Sequence, residues 1–176
     1  MVPLIEQLER DGSNVARRKC KAIRRILIGN DIILRLLNEG GYRKFPEEIN
    51  AKNFPTVGEP KLDGAQLDRY DRNMLSDDIC CELDNRFRRS ATLAETLLYG
   101  IRNPGDQCEN RIVSLQSWWK NPKKGDGYLV VAVLGCYESV GGFLSGSCQQ
   151  NTVELEPYNT RWGANCRFLS LPKQIS

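Results

Sequence analysis

The sequence predicts an α+β fold, with N-terminal helices packed against a C-terminal antiparallel β-sheet, on two observations. Up to about residue 100, apolar residues recur at helical spacings of three and four, opened by capping residues and closed by glycine. Beyond that the period shortens into β-branched runs and alternating stretches separated by glycine-rich turns. The segmentation that follows is a basic amphipathic helical segment over 1–41, a loop over 42–63 and an α+β core over 64–176. At 176 residues these fit within one domain.

Pro3 stands at a first helical position with Leu4, Ile5 and Leu8 on one face, which predicts a short helix over 3–10 ended by Asp11-Gly12. Ser13 or Asn14 then caps a long helix over 15–38. Its stripe is Ala16, Cys20, Ile23, Leu27, Leu34 and Leu37, with Asn30 as one polar interruption and Gly40-Gly41 as its end. Pro46, Pro55, Gly58 and Pro60 mark 42–63 as irregular, with one turn at Pro46-Glu47-Glu48. A loop of that length is either a hinge or a functional segment.

A weak helix is read over 64–73 and a better one over 76–87, with Ser76 as cap and Asp77 and Asp78 at the positive end of its dipole. A third begins at Ser90 or Thr92; Thr92 and Glu95 have capping-box spacing, and Leu93, Leu97 and Leu98 form its apolar side. Asn103-Pro104-Gly105-Asp106 reads as a turn. The stretch 112–119 fits strand and helix equally. After a turn over 121–127, residues 128–134 are a β-branched buried strand. A glycine-rich connection over 141–146 leads to strands at 152–156 and 165–171.

The chain contains no histidine, which removes imidazole from any mechanism. Its seven cysteines are odd in number and two are adjacent, so reduced thiols in a cytoplasmic compartment are expected rather than a secreted disulfide framework. No stretch approaches the roughly eighteen apolar residues of a membrane span. The N-terminus lacks a basic region followed by an apolar one, so no secretory signal is expected. The formal charge of +3 conceals a segregation: ten Lys and Arg against three acids over 10–44, then eight against thirteen over 45–110. Such blocks invite contact within the chain or between copies.

Of the constellations that can carry function, the basic ridge is the strongest. Arg17, Arg18, Lys21, Arg24 and Arg25, with Lys19, line a helix whose other side is apolar, a geometry suited to neutralising phosphates. The same ridge suits an anionic membrane surface, or pairing with Asp77, Asp78, Glu82 and Asp84, and its apolar stripe suits self-association. Trp118 and Trp119 point to opposite faces if they lie on a strand, one packing inward and the other forming a contact surface with Lys123 and Lys124. A thiol nucleophile lacks its usual base; Cys80, near a helix start, is the best placed. Cysteine spacing does not favour zinc. The carboxylate pairs Asp68/Asp71 and Asp78/Glu82 read as surface charge, and 141–146 lacks the ending of a phosphate loop.

These readings lead to a non-enzymatic binding or assembly protein with no cofactor and no metal. Its basic helix is expected to contact an anionic partner, nucleic acid first, in the manner of a small matrix, capsid or accessory protein of a virus or mobile element. If viral, it would act inside the host cell. A protein–protein module working through Trp118, Trp119 and the 42–63 loop is the alternative, and a histidine-free thiol or carboxylate hydrolase a further one.

Overall fold

Asp31 is where the described chain begins: a computed structural model describes residues 31–125, 127–139 and 148–173. Asp31 is extended (φ −100°, ψ 99°) and its carboxylate accepts from the Leu34 N–H at 3.1 Å, so it is an N-cap. Helix α1, Ile32–Glu39, starts there. The long helix expected over 15–38 therefore does not run through this point, because a short acidic side chain takes the N–H that a continuing helix would need. Its earlier part, and the short helix over 3–10, lie outside the described residues. Gly40 and Gly41 close α1 as expected, Gly41 at φ +65°.

The 42–63 segment has no helix or regular strand, and the expected turn is present, with the Ile49 N–H donating to the Pro46 carbonyl at 3.0 Å. It is not a free loop, however. Tyr42, Ile49 and Phe54 are buried in the core, and Lys44 forms an isolated bridge to Thr152. Two glycines make room for Tyr42. A Cβ on Gly40 would fall 2.3 Å from the ring and one on Gly100 would fall 2.3 Å from the hydroxyl, which donates to Gln107 at 2.7 Å.

Strand β1, Gln66–Asp68, replaces the weak helix read over 64–73. It pairs with the last strand, and Asp68 turns inward to accept from Arg86 (3.1 Å) and from Ser170. Strand β2, Met74–Leu75, leads into helix α2, Ser76–Asn85. Ser76 is not its cap. It is the first helical residue, its hydroxyl donating to the Tyr158 carbonyl and accepting from the Trp162 indole at 2.8 Å. The helix closes with Phe87, whose N–H returns to Asp84 at 2.9 Å and whose φ is +56°. A left-handed conformation costs a residue with a Cβ about 1–2 kcal/mol.

After β3, Arg88–Ser90, comes α3, Leu93–Arg102, with the expected capping box at Thr92 and Glu95. The Asn103-Pro104 turn winds on into α4, Pro104–Glu109, because proline at a first helical position starts a helix as readily as it bends a loop. The ambiguous stretch is strand β4, Arg111–Lys120. A 3-10 turn, Pro122–Lys124, precedes β5, Leu129–Ser139; then come β6, Cys148–Pro157, β7, Arg161–Trp162, and β8, Cys166–Pro172.

The main sheet runs β1-β8-β4-β5-β6, with β3 also on β8, and a small second sheet joins β2 to β7. It is mixed rather than wholly antiparallel, since β4 and β8 run parallel. Both faces are covered. On one side Ile112, Ala132, Leu134, Val153 and Leu169 pack with α1, α3 and the 42–63 segment. On the other Val113, Val131, Val133, Phe168 and Trp162 pack with Met74, Ile79 and Leu83. Among the described residues no helix is long and apolar enough to cross a membrane.

Two outcomes test this arrangement. Truncating Phe54→Ala should cost about 3–5 kcal/mol in urea unfolding, as for a core aromatic, whereas a surface loop would lose almost nothing. Burial raises the Glu95 pKa, but Arg89 at 2.6 Å and the Thr92 N–H at 2.8 Å outweigh it and hold it below the ordinary value of a glutamate carboxyl. Its contribution is therefore present above that value and is lost as pH falls through the depressed one. The stability gap between the native chain and Glu95→Gln should narrow in acid unfolding titrations.

Candidate partner-binding surface

The basic residues most suggestive in the sequence, Arg17, Arg18, Lys21, Arg24 and Arg25, lie outside the described residues. The acidic segment expected to face them is described, and many of its carboxylates have local partners. Glu82 meets Arg72 at 2.6 Å and Arg86 at 3.4 Å, Asp68 meets Arg86, Asp84 meets Lys173, and Glu95 meets Arg89. Asp77 accepts from the Tyr158 hydroxyl at 2.8 Å. Glu47 and Glu48 reach Lys123, and Glu59 pairs with Arg35, the cation of the 10–44 block that does so among the described residues.

Trp118 and Trp119 behave as a strand dipeptide must. Trp119 packs into the core beside α1 and α3, and Trp118 is 54% exposed. Gln116, Trp118 and Lys120 form the exposed row of β4. The lysines that follow are not equivalent. Lys123 binds Glu48 at 3.0 Å and so ties the β4–β5 turn to the 42–63 segment, whereas Lys124 lies 4.9 Å from the centre of the Tyr128 ring. Trp118 thus stays exposed, while Trp119 and Lys123 serve the fold.

The carboxylate pairs are not helical neighbours of one kind. Asp68 is buried on β1, and Asp71 reaches only Arg69 at 3.1 Å. Asp78 and Glu82 do share α2, with Glu82 already engaged by Arg72 and Arg86. Among the described residues no group of three or more candidate metal ligands converges. Cys80, Cys81, Cys108, Cys136 and Cys166 are free thiols. Burial pushes the Cys80 thiol up, the nearby Asp77 charge adds to this, and the Tyr158 hydroxyl at 4.0 Å opposes it. Cys166 is also raised, again first by burial. The glycine-rich 141–146 stretch lies outside the described residues.

One pair of residues escaped the sequence reading. Phe87 is 79% exposed at the α2–β3 corner, followed by Arg88, whose guanidinium is held by Ser170 and Gly64. The string Arg86-Phe87-Arg88-Arg89, an aromatic amid cations where a helix ends, was the available signal.

No family model, curated protein or solved structure matches the chain. Its surface must therefore be read from its own chemistry.

That chemistry raises the pKa of both Cys80 and Cys166, burial outweighing the nearby Arg111 and Arg167 at the latter. Cys80 and Cys166 should alkylate more slowly near neutral pH than a free thiol, and exposed Cys81 faster than either. Time-resolved labelling with mass mapping checks this; a hyper-reactive Cys80 would revive the thiol hydrolase.

Proposed function

We propose that this protein is a non-enzymatic binding and assembly protein whose basic block contacts an anionic partner, with nucleic acid the class its charge pattern fits best. One observation carries the reading. Five carboxylates of the acidic segment, Glu48, Asp68, Glu82, Asp84 and Glu95, are already paired with its own arginines, with Lys123 or with Lys173. On this reading the charge of Arg17, Arg18, Lys21, Arg24 and Arg25 serves an outside partner. The half-exposed Trp118 supports the same reading, since an aromatic ring open to solvent offers a face on which a base can stack.

Trp118 also supports a second reading, a protein–protein module using that face together with the rim of the 42–63 segment, where Val57 is fully exposed and Phe45 partly so. Copies of the chain are candidate partners on either reading.

Salt separates the two. If five cations each neutralise a phosphate, log affinity for duplex should fall against log salt with a slope of about −4.5. Arg17, Arg24 and Arg25→Ala together should flatten it by about 2.7. Fluorescence anisotropy of a labelled oligonucleotide measures both. Weak binding that ignores salt rejects the nucleic-acid reading in favour of the protein module.

A further inference from the structure

Phe87 combines two unfavourable features: it alone among the described non-glycine residues has a positive φ, and it projects its ring into solvent. Asparagine or glycine would hold that corner more cheaply. The residue that follows is a guanidinium held in one orientation. Arg88 Nε donates to the Ser170 hydroxyl, and Nη2 donates to the Ser170 and Gly64 carbonyls, all at 2.8 Å. All three acceptors are neutral, and no carboxylate among the described residues pairs with this positive charge. Nη1 keeps two N–H groups with no acceptor among the described residues.

Arg88 lines a groove of about 570 Å³ together with Cys80, Asp84, Arg89, Gln116 and Lys173. Asp84 answers Lys173 and Glu95 answers Arg89, so Arg88 is the cation left over there. Phe87 is joined to the lining of this groove by its backbone: Arg88 follows it, and its carbonyl accepts from the Lys173 N–H at 2.9 Å. Gln116 begins the exposed row that continues to Trp118.

We propose that this groove binds single-stranded nucleic acid, with an unpaired base stacked on Phe87 and a backbone phosphate on Arg88. The assignment rests on the reading of the partner as nucleic acid and names the form it takes here. A fixed guanidinium with Nη1 unused fits a phosphate oxygen. A lone protruding ring needs a flat face to cover it, and bases offer theirs only when unstacked from a duplex. An acidic peptide satisfies Arg88 but supplies no such face.

The test compares the full chain with Phe87→Asn, Arg88→Gln and the Arg17/Arg24/Arg25→Ala variant, on single-stranded and duplex oligonucleotides of one sequence. Phe87→Asn should bind the single strand about tenfold more weakly and leave duplex affinity unchanged. Its thermal midpoint should rise by about 3 °C, which separates lost contact from lost folding. Arg88→Gln should lower the single-strand salt slope by about 0.7. Wild-type affinity in both of these variants, with loss only in the triple variant, overturns the groove and keeps the basic block. Loss in Phe87→Asn with the triple variant unaffected overturns the basic block and keeps the groove. Oligoglutamate competing as well as the oligonucleotide overturns the nucleic-acid assignment.

Discussion

Strand β8 is buried on both faces, and most of the polar chemistry of the molecule answers to that constraint. Phe168 faces the α2 layer, while Leu169 and Leu171 face the layer of α1 and α3, so no side of the strand is left for water. Ser170 and Asp68 nevertheless sit within this packing, fully and almost fully buried. A buried hydroxyl and carboxylate are tolerated only when their hydrogen bonds are met. Arg86 and Arg88 meet them from the rim, one through Asp68 and the other through Ser170. Two arginines that look like surface charge are therefore structural first, and what each offers a partner depends on what the core has left unused.

That distinction organises the electrostatics. Arg72, Arg86, Arg89, Lys123 and Lys173 are tied to carboxylates, and several of these ties join distant segments. Lys123 links the β4–β5 turn to 42–63, and Lys173 fastens the end of β8 to α2. Exposed pairs of this kind contribute little stability individually, and together they offset part of the acidic segment's charge. Positive charge is dense in the sequence over 10–44, and among the described residues Arg88 is a cation whose acceptors are neutral. An anionic partner would meet a few defined positions rather than a uniformly basic surface.

Much of the fold was legible because local and tertiary signals agreed. The β-branched run 128–134, the alternation at 152–156 and the Thr92–Glu95 spacing each produced the expected element. Where they disagreed, tertiary demands prevailed. Gln66–Asp68 has a helix-compatible pattern yet completes the ladder of β8, a partner about one hundred residues away. Ser76 has cap chemistry, but its hydroxyl is taken by Tyr158 and Trp162. Asp31 was passed over because the apolar spacing continues across it, although its carboxylate ends that continuity. Phe54 and Ile49 lack any period, being single anchors in an irregular segment. Of the surface, Trp118 was legible from the two-residue period of a strand. Phe87 was not, since a left-handed aromatic violates the preferences that sequence reading relies on.

The tyrosine pocket between α1 and α3 has a consequence for how such a chain can change over time. Gly40 and Gly100 come from different helices, yet each is small for the sake of the same ring, and the Tyr42 hydroxyl is the hydrogen-bond partner of Gln107. A methyl group gained at either glycine would be blocked until the ring had first been lost, and losing it strands an amide. Divergent lineages should therefore inherit these four positions as a set, exchanged together or not at all.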